Sequence, residues 1–553
     1  VNRQERFMDI LQSAQVGLFA DSPSRLVPYM NHRGFTTEEI SCMSMMAEQE
    51  PGSLSDIIIS DDNIALLHAA AKLSKVSDVN ATLCAALIDD LRGASDMYFG
   101  RPHMHSSLFE VKSVKAVKDR HGSLVTKEFV FSEVEGGVAL DKYKGSRPSV
   151  SIPDNVLYGG DVYPVVEISG WAFDGSPFVT NIVLPYTLVS IGDKAFCDCS
   201  ELTEIGIPSS VKEISVDAFD GCESLERFDV DVGNCCYVSD SQGILYCRSE
   251  NKLLLAPAMI SGDVVIPDKV LSVEENAFNG CTGIRSVVAR GSLESIGSWA
   301  FAGCTSLESV TLGNEVKTIG NGAFFRCTSL RRFDVPERVR TIESRVFSDC
   351  SSLMEITLPD SLTSIAKWAF ELCTSLDTIR IPKSVSKLGQ GFYYGCDSLT
   401  RIEVDPENIA FFSDEYGMLY DRKRAALIRA PKGISGSVKI REGVTTIIDR
   451  AFEGCRDLES ITIPESVSLI GKRAFSGCSS IRSLTIPSMV KTIADSTFTG
   501  CALLESVGIP DSVTKIGCGA FSECPSLREV VLPGGRISLG YGAFDDGVNI
   551  LKR

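Results

Sequence analysis

Chemistry in this chain would have to start from very few histidines. There are five: His32, His68, His103, His105 and His121. His103-Met104-His105 offers two imidazoles to a metal. No matched Cys or Glu-x-x-His stands with them, so an exposed loop after Arg101-Pro102 is the simpler reading. Beyond residue 121 there is no His at all, which removes the commonest general base from most of the chain. Gly-x-Ser-x-Gly, His-Glu-x-x-His and a Gly-rich phosphate loop are all missing. Of the 19 Cys, none falls into paired CxxC motifs of the zinc type. Cys235-Cys236 is the one adjacent pair that invites a redox or metal role. The expectation is a chain with no catalytic residues, no metal and no cofactor.

Contact chemistry is a different matter. Arg331, Arg332, Met354, Glu355, Asp377, Arg380 and Arg401 fall at outward positions of a repeating unit and form its most mixed region. Arg and Met are enriched at contact surfaces. These seven are the candidate partner-binding residues, set against the plainer reading of an ordinary solvated sheet.

The elements that must position them come from one phrase. Ile319-Gly320, Ala323-Phe324, Cys327, Leu330, Phe333 and Val335-Pro336 return 23 residues later as Ile342, Val346-Phe347, Cys350, Leu353, Ile356 and Leu358-Pro359. The aromatic recurs from Phe173 to Phe544, with Tyr393 standing in once, which makes fourteen coils. Self-similarity at a period of this size means a solenoid. Leu353, Ile356 and Leu358 should face inward from a strand, and Met354, Glu355 and Thr357 outward. Pro359 lacks an N–H and should end the strand. At the spacing of neighbouring strands, fourteen coils would extend about 70 Å. Phe301, Phe324, Phe347 and Phe370 should form an aromatic spine. Cys304, Cys327, Cys350 and Cys373 should form a parallel column of buried thiols, each S–H within reach of a backbone carbonyl. Disulfides between coils are the alternative, since strand spacing does not forbid them, but they would strain the register. Ser176 and Gly547 replace the thiol at the two ends, where less burial is expected.

Two intervals break the stride. From Phe219 to Phe278 and from Tyr393 to Phe452 the step is 59. Both carry the same insertion, at about 228–266 and 402–440. Asn234, Ser239-Asp240, Gly243 and Leu245-Tyr246 reappear at a constant offset of 174 as Asn408, Ser413-Asp414, Gly417 and Leu419-Tyr420. A polar Ser-Asp-x-x-Gly between apolar stretches reads as a hairpin. Upstream, residues 1–100 carry apolar residues at helical spacing and predict a small all-α domain. Residues 101–164 alternate and predict a β-rich cap for the array, which then occupies 165–553.

The phrase Ile463-Pro464, Ser466-Val467, Ile470-Gly471, Ala474-Phe475, Cys478, Ile481 resembles the leucine-rich repeats of the Bacteroides surface protein A (BspA-like) type, also called the Treponema pallidum type. The resemblance covers about 150–553. It implies a leucine-rich-repeat solenoid with a parallel sheet on its concave side and short strands and turns on the convex side. It also implies a microbial cell-surface or secreted protein that binds or adheres to a protein or glycan surface. It supplies no catalytic residues.

Charge and hydropathy set further bounds. There are 54 Lys plus Arg against 72 Asp plus Glu, a net charge of −18, which argues against nucleic acid as a partner. No apolar run reaches the ~18 residues of a membrane span. The chain opens on Val1 rather than Met, which leaves room for a removed secretory leader. Two further roles stay open at this point. The N-terminal domain could carry an effector or scaffold activity that the array targets, and arrays could self-associate through their ends.

Overall fold

The computed structural model describes residues 112–553. The all-α domain expected over residues 1–100 lies outside them. So do His32, His68, His103 and His105. The described chain divides into two compact units, one ending at Glu250 and the other running from Asn251 to Arg553. No helix is present among the described residues. Each unit is a solenoid of short parallel strands.

The first unit opens with a β-rich region. Strands Phe129–Val134 and Gly137–Tyr143 form an antiparallel pair, and Asn155–Tyr158 pairs antiparallel with Asp161–Ile168. The parallel ladder starts here: Ser190–Ile191 takes Asp161–Ile168 on one side and Glu213–Ile214 on the other. Tyr143 stacks on Phe173 with ring centroids 5.2 Å apart, and Phe196 and Phe219 continue the pile at 5.1 and 5.2 Å. This cover changes one end of the thiol column. Ser176 is only 3% exposed, not the lightly buried end position its sequence place suggests. Gly547 is exposed.

In the second unit two ladders run side by side, both in steps of 23. One joins strands such as Arg332–Asp334 to Glu355–Thr357, pairing Phe333 with Ile356. The other joins two-residue strands, Thr341–Ile342 to Ser364–Ile365 and on to Lys387–Leu388. Within Glu355–Thr357, Ile356 is buried while both neighbours are exposed. Leu358, expected inward, is only half-buried, although its counterparts Val335 and Ile381 are buried.

The core between the ladders is aromatic and sulfur-rich. Phe278, Phe301, Phe324, Phe347 and Phe370 stack at 4.8, 5.4, 5.8 and 5.7 Å. The last three contacts are almost parallel, with interplanar angles of 5° or less. A second pile runs from Phe452 to Phe544 at 4.9–5.3 Å. The backbone around each ring binds the next coil. The Phe324 N–H donates to the Val346 carbonyl (2.9 Å), and the Phe324 carbonyl accepts the Cys350 S–H (3.1 Å) while also accepting the Cys327 N–H of its own coil (3.3 Å). The same S–H bond runs from Cys304, Cys327, Cys373 and Cys396 to the preceding coil's Phe carbonyl at 3.1–3.2 Å. All four are free thiols.

Flanking the ring, the chain turns twice through left-handed backbone. Arg345 and Asp349 have φ of 58° and 62°, and Trp368 and Leu372 have 58° and 59° one coil later. Such a conformation costs a non-glycine residue about 1–2 kcal/mol. It is held because the ring between the two turns is fully buried. Arg345 lies over the Trp368 ring at 4.9 Å, a cation–π contact between coils.

Two outcomes follow. Phe347→Ala removes a ring stacked on both sides and should destabilise the protein by about 3–5 kcal/mol; a denaturant melt coincident with the parent's would refute the spine's role. Burial pushes the column thiols up, to about 12 for Cys281 and Cys455 against an ordinary 9.0. Their folded values exceed the unfolded ones, so the stabilisation is complete below pH 9 and is lost between about 9 and 12, as the unfolded chain ionises first. Melting temperature should hold to about pH 9 and fall above it. A flat profile through pH 11 would mean the column is not sealed.

Candidate interaction face

The outward positions of the second unit's strand ladder carry the candidate residues. Phe333, Ile356, Ile379 and Ile402 point inward and are buried, so the residues on either side of each must point out. Parallel pairing sets Arg332 beside Glu355 and Asp334 beside Thr357. It also sets Thr378 beside Arg401 and Arg380 beside Glu403.

The seven candidate residues fall on three outward columns. Arg331, Met354 and Asp377 form the first, just ahead of the strands. The Met354 N–H donates to the Arg331 carbonyl (2.9 Å) and the Thr400 N–H to the Asp377 carbonyl (2.9 Å). Met354 is 55% exposed, and the Asp377 carboxylate accepts the Thr400 hydroxyl at 2.7 Å. Arg332, Glu355 and Arg401 belong to the second column, and Arg380 to the third.

The third column supplies partners that the sequence reading passed over. Arg332 pairs with both Glu355 (3.5 Å) and Asp334 (3.3 Å), and Thr357 donates to Asp334 (2.8 Å). Glu403 receives Arg380 at 3.0 Å and Arg401 at 3.8 Å. Thr357 is expected outward from the sequence, and the signal for Asp334 and Glu403 was available too: each lies one step of strand alternation beyond its column-two neighbour. These pairs are exposed, and each contributes about 0–1 kcal/mol. They hold side chains in place more than they hold the fold together.

A hairpin closes one end of this face. Strands Phe411–Ser413 and Leu419–Asp421 pair antiparallel. Asp414 organises the turn: its carboxylate accepts the Tyr416 and Met418 N–H groups (3.0 and 2.9 Å) and the Tyr420 hydroxyl (2.7 Å). Burial raises the Asp414 carboxyl above its usual range. Asn408 is buried and fully satisfied, donating to the Pro382 and Val385 carbonyls and accepting from Ala410 and Phe411. The hairpin lies against the strand that carries Arg401. The Ile402 N–H donates to the Gly417 carbonyl (3.3 Å) and the Val404 N–H to the Ser413 hydroxyl (3.0 Å).

Two open depressions among the described residues contain none of the seven. One, in the first unit, has a volume of about 580 Å³ and is lined by Lys212, Glu213, Cys236, Tyr237 and Cys247 among others. The other, about 470 Å³, lies beside the second hairpin and is lined by Asp414, Tyr416, Lys439, Arg441 and Glu442 among others. Near it Phe412 stacks on Tyr420 (4.8 Å), with Arg422 and Arg441 over its ring at 4.9 and 4.8 Å. His121 sits in a surface turn, its N–H donating to Asp119. Among the described residues no three His, Cys, Asp or Glu side chains converge to hold a metal.

The BspA type leucine-rich repeat region matches residues 166–249, 261–353, 331–416 and 434–550, in six copies. The chain belongs to the BspA type leucine-rich repeat family. Solved structures similar to it include a leucine rich cell surface protein from Faecalibacterium prausnitzii, 25% identical over 78% of this chain and 94% of that one, with a TM-score of 0.47. A leucine-rich repeat protein from Bacteroides ovatus is 28% identical over 78% and 99%, at 0.45. The T. pallidum leucine-rich repeat protein is 24% identical over 44% and 86%, at 0.23. No curated protein matches the chain. In this BspA-type chain, no helix among the described residues is long and apolar enough to cross a membrane.

Gly417 provides the test of how the face is bounded. Its φ is +72°, and a Cβ there would lie 3.0 Å from the Arg401 Cα, a backbone atom that cannot step aside cheaply. Gly417→Ala should cost about 1–2 kcal/mol from the left-handed conformation alone, and should loosen the hairpin. Faster proteolysis within residues 405–425 is the expected readout. Unchanged cleavage and melting would show that the hairpin does not depend on this approach.

Proposed function

We propose that this BspA-type protein is a non-catalytic binding protein of the adhesive kind. Its working surface is the strand face from Arg331 to Glu403, and its partner is a protein or glycan surface. One observation carries the reading. Along one column the inward residues are Phe333, Ile356, Ile379 and Ile402, nearly constant, while their outward neighbours are Arg332, Glu355, Thr378 and Arg401. Packing fixes the first set and leaves the second free to change charge at every coil.

The chemistry of the face favours a polar protein or glycan. Four arginines present planar forks that match carboxylates and other acceptors, and Met354 adds an adaptable apolar contact among them. Carboxylates sit beside Arg332, Arg380 and Arg401, so the face is not the unbroken basic stripe that a phosphate backbone requires. A position at the microbial cell surface accords with the family's habit.

The test is charge reversal. Full-length protein carrying Arg332→Glu, Arg380→Glu and Arg401→Glu should capture host or microbial surface proteins and glycans more weakly than the parent. Its melting temperature should stay close to the parent's, because the ion pairs lost are exposed. Equal capture of the same molecules by both proteins would place the contact elsewhere.

A further inference from the structure

The first inserted hairpin carries a feature that its duplicate lacks. Strands Tyr237–Ser239 and Leu245–Cys247 pair antiparallel, as Phe411–Ser413 and Leu419–Asp421 do. The supports are the same in both. Asn234 donates to the Pro208 and Val211 carbonyls and accepts from Cys236 and Tyr237. Asp240 accepts from Gln242, Ile244 and the Tyr246 hydroxyl. At the offset of 174, however, Cys235 and Cys236 correspond to Ile409 and Ala410. Ala410 makes the same N–H bond to its Asn that Cys236 makes. The second hairpin therefore folds without thiols at these positions, and folding does not account for the pair.

These two thiols also differ from the column. Column cysteines are buried and give their S–H to a backbone carbonyl. Cys235 is exposed and Cys236 half-buried, and their sulfurs lie in contact at 3.6 Å. Cys236 also lines the open groove beside Lys212 and Tyr237, so a small molecule can reach the pair. We propose that Cys235 and Cys236 form a reversible thiol–disulfide exchange site, whose co-substrate is a small dialkyl disulfide of the glutathione class.

Exposure sets the order of attack. Burial raises the Cys236 thiol above its usual value, which leaves the exposed Cys235 to attack first. Its thiolate breaks the S–S bond of the small disulfide, releases one small thiol and leaves a mixed disulfide at Cys235. The Cys236 thiolate then attacks the Cys235 sulfur and expels the second small thiol. The protein loses two S–H bonds and gains one S–S bond, while the small disulfide is reduced to two thiols that carry the two protons. Because the sulfurs already touch, the second step is intramolecular and the mixed disulfide does not build up. Adjacent Cα atoms stand about 3.8 Å apart, closer than the ~4.4–6.8 Å of ordinary disulfides. The bridge is therefore strained, and strained, exposed bridges are the readily reduced ones, so the exchange runs in both directions.

The experiment exposes reduced full-length protein to oxidised glutathione, alkylates the remaining thiols and cuts with chymotrypsin for mass spectrometry. Cleavage after Phe228 and Tyr237 frees residues 229–237, which hold this pair and no other Cys. The parent's peptide should lose two hydrogens and carry neither glutathione nor alkyl groups. Excess reduced glutathione should make both thiols alkylatable again. Cys247→Ser should behave like the parent, whereas Cys236→Ala should hold glutathione on Cys235 as a lasting mixed disulfide. Two free thiols throughout, lasting glutathione on the parent's peptide, a bond from either thiol to any other Cys, loss of closure in Cys247→Ser, or no trapped glutathione in Cys236→Ala would each overturn the assignment. None of these outcomes bears on the strand face, whose residues are untouched.

Discussion

The whole array depends on the coupling between one aromatic ring and the peptide groups beside it. A spine phenylalanine inside a run, such as Phe324, is stacked above and below, and its own N–H and C=O reach the next coil. Phe324 bonds to Val346 through its N–H and to Cys350 through its carbonyl. Stacking alone would tolerate sliding, because ring faces are smooth. Hydrogen bonds alone would leave a hollow. Together they fix the interval between coils at 23, since an insertion or deletion of one residue would separate the ring from the bonds that flank it. Cysteine suits the third corner of this arrangement. It is small, tolerates burial, and carries a donor weak enough to bury at little cost.

That coupling explains what could be read without coordinates. Phe301, Cys304 and Leu307 recur at a fixed stride with nearly the same side chain each time, so spine, thiol column and strand ladder all show in the letters. The hairpins were legible for a similar reason, since Asn408, Asp414 and Gly417 each do a job that few residue types can do. Three features were hidden. Ser176 is buried because Tyr143 stacks over its coil, and that contact joins residues far apart in sequence. The left-handed turns beside each ring are occupied by Arg345, Trp368, Ser496 and others as well as Gly, so no residue type marks them. Strand alternation places Asp334 and Glu403 outward, but their pairing with Arg332, Arg380 and Arg401 was hidden, because outward residue types do not repeat and periodicity says nothing of which charges meet.

The same division runs through the site. Residues 331–403 are placed by the buried side of the coil and chosen by nothing on it. Arg332 can be Ser309 one coil earlier or Glu355 one coil later without disturbing Phe333 or Ile356. The ion pairs that join Arg332, Asp334 and Glu355, and Arg380, Arg401 and Glu403, reduce the freedom of long side chains before any partner arrives. A partner that meets these groups has less entropy to remove.

The paired hairpins have a further consequence. Each interrupts the stride by 36 residues and returns the chain in phase, and its framework is anchored by an Asn, an Asp, a Tyr and a Gly that leave the residue after the Asn free to differ. Such a segment behaves as a cassette. New residues can be installed after the Asn, or a whole hairpin added at another coil, without renegotiating the core beneath it. Variety on the outside of this molecule can thus grow by grafting as well as by point substitution, and the thiol pair ahead of the first strand of one hairpin and the exposed isoleucine at the same place in the other already show two different grafts on one stock.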